Sequence, residues 1–361
     1  MKNNNNYSVI LLVTIMFICG FMLSGCANKA EHLDPERSKF EKIKWISGGK
    51  TKVGIFPEAG GRIVAVHRNG GENILKSDSK LWNYEFDKPV DERIYNKKLP
   101  FNGHIVWVGP QTDWWTQQDV IPELASNESR WPPDPYLIYG DHLIDRLTDK
   151  YAKIISPKSK YTGLQLKKTI TVDEDGIIRF NVEAENIRDE EVAWDLWLNT
   201  RMDGFTKVYV AVESETDIRM EYRLKDKMQK MPHKINKGYF YFDPQFPSDG
   251  NMRRLGKALI HPSVNKLFAF TDEEMFVIRF KKYDRSLTHS EHGMIEIYNT
   301  VSSDGNSLLE LEYHSPYKKL KPTEKMSSKE TWKIVEYRGI NRTEEHIKFI
   351  QLYRNLNRNL N

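Results

Sequence analysis

"GLQLKKTITVDEDGIIRFNVEAEN", residues 163–186, places two runs of alternating apolar and polar side chains on either side of an Asp-Glu-Asp-Gly turn. A period of two is that of a strand with one face buried, and a short acidic turn ending in glycine makes the pair a hairpin. The same signature continues in both directions. "TKVGIF" (51–56) and "GRIVAVHR" (61–68) flank "PEAG", and "YAKIIS" (151–156) precedes the hairpin. "VAWDLWLNTR" (192–201), "TKVYVAV" (206–212) and "DIRMEY" (217–222) follow it. "KALIHP", "KLFAFT", "MFVIRFKK", "GMIEIYNT", "SLLELEYHS" and "ETWKIVEYR" read the same way late in the chain. Many short strands with no repeat period exclude a propeller or solenoid and leave a sandwich of two large antiparallel sheets. Helical periodicity is clear only in "RTEEHIKFIQLYRNL" (342–356), with Ile347, Ile350, Leu352 and Tyr353 available to dock. The fold class is therefore all-β, with a β domain over 42–340 and a C-terminal helix within 341–361.

The N-terminal end reads differently. "MKNNNNYSVILLVTIMFICGFMLSGC" holds one lysine, an asparagine run and then about 15 apolar residues, enough for a signal-peptide core and short for a membrane span. It closes on Leu23-Ser24-Gly25-Cys26, the pattern of a bacterial lipobox. Residues 1–25 are expected to be removed as a lipoprotein signal peptide, and Cys26 to carry the lipid that holds the protein at the cell envelope. Which membrane leaflet it occupies is left open. Residues 26–41 are polar and read as a tether. The chain has two cysteines, and the other, Cys19, lies inside the signal. A folded part without a free thiol has no disulfide, cysteine nucleophile or cysteine metal site. The net charge of +4 comes from interspersed charges of both signs, with no basic block, so no nucleic-acid partner is implied.

The stretch from 78 to 140 has few clean strands and several prolines. A long irregular excursion in a compact domain is more often functional than idle. It carries "GHIVWVGPQTDWW" (103–115) and "RWPPDP" (130–135). If 104–108 is extended, His104 and Trp107 fall on opposite faces, and His104 is expected to face a site while Trp107 packs. Gln111, Trp114 and Trp115 follow Gly109-Pro110 on a loop, where at least one tryptophan is expected to line a cleft. Prolines would hold Trp131 and Asp134 in fixed orientation, for binding or as a packing strap.

On 192–201 the core face is Val192, Trp194, Leu196 and Leu198, and the other face carries Ala193, Asp195, Trp197, Asn199 and Arg201. An aromatic flanked by carboxylate, amide and guanidinium suits a sugar, whose C–H face stacks on the ring while its hydroxyls bond the polar groups. A solvated outer face is the alternative. On 307–315, Glu310, Glu312 and His314 share a face. Glu312 and His314 would divide base and acid roles if burial moved both toward neutrality, whereas Glu310 is expected to be a surface ion pair. Glu296, sharing a face with Tyr298, is the competing base. "HSEH" (289–292) offers imidazoles and a carboxylate without a zinc spacing, so neither a metal nor a cofactor is expected. "SGGKT" (47–51) lacks the first glycine of a phosphate loop, and no G-x-S-x-G or H-E-x-x-H occurs.

"AGGRIVAVHRNGGENIL" (59–75) resembles the opening of the galactose mutarotase-like (aldose 1-epimerase-like) supersandwich, with its Gly-Gly-Arg strand start, turn and Asn-Ile-Leu. "GHIVWVGPQ" with "WPPDP" and the ending "LELEYHSPYKKLKPTEKMSSKETWKIV" resemble a bacterial family of mutarotase-like lipoproteins of unassigned function. The resemblance runs over roughly 45–340 and implies a supersandwich with a carbohydrate ligand. Aldose epimerases pair a histidine acid with a late-chain glutamate base. "WLNTRMDG" departs from them, since it carries Asn199 and Arg201 where they place a histidine. Three functions stay open: a carbohydrate-binding or carbohydrate-processing lipoprotein, an epimerase or lyase using a Glu/His acid–base pair, and a structural envelope protein.

Overall fold

The hairpin of 163–186 forms as the alternation requires. Leu164–Val172 pairs antiparallel with Ile178–Asn186, from Leu164 opposite Asn186 to Val172 opposite Ile178. Every second residue of both strands is buried. In the turn, Asp173 Oδ1 accepts from the backbone N–H groups of Asp175 and Ile177, and Gly176 takes a φ of +71°, which a side chain would strain.

The computed structural model describes residues 39–95, 99–127, 129–248 and 250–357. The expected signal segment 1–25, Cys26 and most of the tether lie outside the described residues. In chain order the strands are β1 (Lys44–Gly48), β2 (Thr51–Phe56), β3 (Arg62–Arg68), β4 (His104–Gly109), β5 (Leu143–Thr148), β6 (Tyr151–Ile155) and β7 (Leu164–Val172). Next come β8 (Ile178–Asn186), β9 (Val192–Met202), β10 (Lys207–Ala211), β11 (Ile218–Glu221), β12 (Met228–Lys230), β13 (His233–Asn236) and β14 (Tyr239–Phe242). The last are β15 (Arg253–Ile260), β16 (Lys266–Phe270), β17 (Glu274–Phe280), β18 (Ile295–Ser302), β19 (Leu308–His314), β20 (Lys318–Leu320) and β21 (Lys325–Glu336). They build two sheets. The 11-stranded sheet runs β1-β2-β3-β4-β9-β19-β18-β15-β11, with β12 beside β15 and β20 beside β9. The 10-stranded sheet runs β13-β14-β10-β16-β17-β21-β8-β7-β6-β5.

The sheets face each other across one apolar layer. Val106, Leu196, Leu198, Ile297 and Leu311 come from the first sheet, and Leu166, Ile170, Phe180, Phe276 and Trp332 from the second. The 14-residue helix α3 (Thr343–Leu356), which follows the short α1 (Pro122–Ser126) and α2 (Pro135–Ile138), covers the outside of the second sheet. Ile347 and Ile350 bury against Tyr209, Phe268, Phe270 and Met275, each worth roughly 1.5–3 kcal/mol. Leu352, expected to dock, is 54% exposed, because the helical turn carries it to the far side from Ile347 and Ile350. His346 occupies the docking face instead and stacks on Phe270 at 4.0 Å between ring centres. No helix among the described residues is long and apolar enough to cross a membrane.

The outer face of the first sheet is where alternation fails. In β9 every residue from Trp194 to Thr200 is buried, so both faces of this central strand are covered. The covering material on the outer side is the 110–115 loop and the loop that precedes β18.

Candidate functional site

Three adjacent strands, β9, β19 and β18, align their outward side chains in rows. Asn199 stands opposite Glu312, and Glu312 opposite Glu296. One row along, Arg201, Glu310 and Tyr298 line up, with Lys257 of β15 opposite Tyr298. On the other side, Trp107 of β4, Trp197 and His314 form the third row. Directly paired residues on a sheet lie about 5 Å apart at Cβ, so these side chains meet by construction.

Asp195 anchors one end of the group. Its Oδ2 lies 2.8 Å from His292 Nδ1 and its Oδ1 3.1 Å from His314 Nδ1. Burial opposes the charge on Asp195, but the two imidazoles outweigh it and hold the carboxyl well below its usual range. Burial likewise works against a charged His292, yet Asp195 prevails and the ring is pushed up. For His314, burial and the neighbouring His292 win over Asp195, and the ring is pushed down. His314 Nε2 then points at Glu296, 3.7 Å from Oε1.

The two glutamates differ sharply. Glu296 accepts from Gly293 N–H at 3.0 Å and pairs with Lys257 Nζ at 2.6 Å. Burial would raise it, but Lys257, then His314 and His292, draw it down to about 2. Glu312 lies 3.9 Å from the same ammonium and receives Asn199 Nδ2–H at 2.9 Å on Oε1. Burial, reinforced by Glu310 and Glu296 and only partly offset by Lys257, pushes Glu312 well above the usual carboxyl range. Two neighbouring carboxyls are thus pushed in opposite directions, the pattern that separates a proton donor from an acceptor.

Aromatic rings wall the group. Trp197 lies 5.0 Å from both Trp107 and His314 and 6.2 Å from Trp114. Arg201 rests over Trp107 at 5.3 Å and Lys257 over Trp197 at 5.6 Å. Besides Glu296 Oε2, which pairs with Lys257, five buried polar atoms here have no hydrogen-bond partner among the described residues: Trp107 Nε1, Trp197 Nε1, Asn199 Oδ1, Glu312 Oε2 and His314 Nε2. Buried polar groups are nearly always satisfied, so such a concentration on one face marks a place built for polar company.

Of the residues proposed from sequence, the structure brings Trp197, Asn199, Arg201, Glu296, Glu312 and His314 together, with Trp114 above them. It does not bring in His104. The antiparallel pairing of β4 with β9 sets His104, Val106 and Val108 opposite Thr200, Leu198 and Leu196, on the inter-sheet face. His104 is buried between Phe180 and Trp332 at 4.6 and 4.7 Å and contacts Thr200 Oγ1 at 2.9 Å. Burial, with Lys168 and Arg62 nearby, pushes its ring well below the usual range, so it stays neutral. Trp107 takes the outward place that had been assigned to His104.

Asp134 is also elsewhere. It is fully buried, caps α2 through Tyr136 N–H and accepts from the hydroxyls of Ser159 and Thr162. Gln111 ties its loop to Arg130 O at 2.6 Å. Trp131 is 46% exposed, 6.3 Å from Trp114. Trp114 and Trp115 are both buried, against the expectation for a loop, because each indole N–H reaches a carbonyl: Val108 O at 2.6 Å and Pro132 O at 2.8 Å. Glu310 pairs with Arg201 at 2.7 Å, both nearly covered, so the pair is not the exposed one expected. Cavities of about 490 and 450 Å³ lie by α3 and beside Thr51 and Glu336, away from the rows.

Sequence reasoning missed Lys257, the place of His292 and the pairing of Asp195 with two histidines. Asp195 was visible on the outward face of β9, but its partners lie 97 and 119 residues away.

The comparisons with known proteins agree with this architecture. A galactose mutarotase-like protein from Lactobacillus casei superposes with a TM-score of 0.51 at 9% identity, covering 82% of this chain and 100% of that one. A galactose mutarotase-like protein from Clostridium acetobutylicum gives 0.50 at 13% identity, covering 81% and 95%. The fold is thus a galactose mutarotase-like supersandwich, as the sequence resemblance implied. No curated protein matches the chain in sequence. The model of one family, described as a domain of unknown function (DUF4380), matches residues 42–335, and the chain belongs to that family.

Proposed function

We propose that this protein binds and processes a carbohydrate on the outer face of β9, β19 and β18, with Glu312 as proton donor and Glu296 as acceptor. The observation that carries this reading is the directly paired Glu296 and Glu312, the first drawn down by Lys257 and the second pushed up by burial, on a face walled by Trp107 and Trp197. Asn199 occupies Glu312 Oε1, which leaves the buried Oε2 to carry the proton. The fold is consistent with carbohydrate binding or processing, and its chemistry is read from the site alone. Proton transfer of this kind fits opening of a sugar ring or abstraction next to a carboxyl, an epimerase or lyase reaction. The lipobox at 23–26 supports a lipid-anchored protein at the bacterial envelope, meeting glycans there.

The test is to incubate the purified protein with mono- and oligosaccharides and follow anomeric exchange and bond cleavage by NMR, alongside thermal shift. Conversion that disappears in Glu312→Gln supports the acid–base reading. A saccharide that raises the melting temperature and emerges unchanged makes the protein a binding module, which the clamp of Lys257 on Glu296 would favour. If no saccharide does either, the carbohydrate assignment is wrong.

A further inference from the structure

We propose that Asp195, His292 and His314 form a binding site for one divalent first-row transition-metal ion. The three ligands come from β9, from the loop before β18 and from the end of β19, and one donor atom of each lies within 4.8 Å of the others. All three are buried. The imidazole rings approach to 3.9 Å between centres while both Nδ1 atoms address one carboxylate.

The two Nδ1 atoms lie 2.8 and 3.1 Å from the two oxygens of one carboxylate, so an ion placed among them takes one donor from each residue. The ring proton of His314 then sits on Nε2 and faces Glu296 Oε1, the carboxylate–histidine–metal arrangement that orients ligating imidazoles. Nε2 is buried, without a hydrogen-bond partner among the described residues, and lies 3.7 Å from that oxygen.

Gly109 of β4 lies against the cluster. A Cβ on Gly109 would lie 2.3 Å from His292 Cε1 and 2.8 Å from Asp195 Oδ1, so this position of β4 accepts nothing larger than hydrogen while the cluster is intact. A second group, Glu296, Glu312 and His314, also has donor atoms within 4.8 Å, but Lys257 Nζ already supplies its cation at 2.6 Å from Glu296. Two imidazoles and a carboxylate favour zinc or a similar ion over magnesium or calcium, which prefer all-oxygen sites. His292 adjoins the exposed Glu291 and half-buried His289. The site shares His314 with the face proposed for the carbohydrate, but its test needs no saccharide.

The test uses the purified full-length chain, stripped with a chelator and titrated with Zn²⁺ by calorimetry and with Co²⁺ by visible absorption. The expected result is one ion per chain with Co²⁺ ligand-field bands, undisturbed by excess Mg²⁺. Asp195→Asn should weaken binding at least 100-fold or so, the upper end of what even outer-sphere partners cost. Gly109→Ala should weaken it without removing a ligand, and His289→Ala should leave it unchanged. Circular dichroism confirms that each variant is folded. Failure of the folded wild type to take up one ion, or uptake that survives both Asp195→Asn and Gly109→Ala, overturns the proposal.

Discussion

Glu296 and Glu312 stand directly opposite each other on neighbouring strands, yet Lys257 Nζ lies 2.6 Å from the first and 3.9 Å from the second. That asymmetry predicts opposite effects for the same chemical change. Glu296 is lowered on folding, so its contribution is present above the ordinary carboxyl range and lost as pH falls toward about 2. Glu312 is raised, so its ionisation opposes folding as pH climbs past that range. At pH 7, Glu296→Gln should cost about 1–3 kcal/mol, below the full penalty for breaking a buried pair because Lys257 is 27% exposed. Glu312→Gln should be neutral or stabilising. Urea denaturation of both variants checks this, and the reverse order would remove the assignment of charge.

His104 belongs to the core, and its replacement should act on stability alone. His104→Ala leaves a hole between Phe180 and Trp332 and strands Thr200. A loss of about 2–4 kcal/mol is expected, with any saccharide response per folded molecule unchanged. A variant that is fully stable but has lost that response would return His104 to the site.

Glu330 lies buried on the inter-sheet side of β21, where it accepts from Trp332 Nε1 at 2.7 Å. Burial, only partly offset by that bond, pushes its carboxyl up to about 8. A raised folded-state value means the folded chain keeps the proton that the unfolded chain releases. Stability therefore falls as pH rises from the ordinary carboxyl range to about 8. Glu330→Gln keeps an acceptor for Trp332 and should flatten this loss, gaining on the order of 2–3 kcal/mol over wild type at pH 8 and almost nothing at pH 4. Melting temperatures across that range, compared between the two proteins, give the answer.

Gly109→Ala adds one methyl group where His292 and Asp195 already stand. The expected cost is about 1–3 kcal/mol, with the 285–293 loop displaced. Hydrogen exchange should quicken in that loop and stay unchanged in the β7–β8 hairpin. Equal exchange everywhere would mean that the loop yields without cost.

Strands such as β7 and β8 were legible because alternation is a local property, written into neighbouring residues. The outward set of β9, with Trp197, Asn199 and Arg201, could be sorted the same way. Which face of β4 looks outward could not, because it is fixed by pairing with β9, some 90 residues on, and a one-residue change of register exchanges His104 with Trp107. Lys257 was passed over for a similar reason. Within "KALIHP" nothing marks it, and only the register of β15 with β18 brings it beside Tyr298 and so to Glu296. Asp134 misled through its prolines, whose stiffness serves a helix cap as well as a binding wall.

The position of β19 between β9 and β18 also sets an order of events during synthesis. Asn199 and Glu312 are 113 residues apart, so β9 leaves the ribosome long before the strand that closes its free edge. Through that interval β9 presents unpaired backbone groups beside Trp194, Leu196 and Leu198, an invitation to pair with another chain. A nascent protein halted before residue 308 would lack β19 and Glu312, leaving β9 and β18 unjoined, so its centre becomes complete only when the polypeptide is nearly finished.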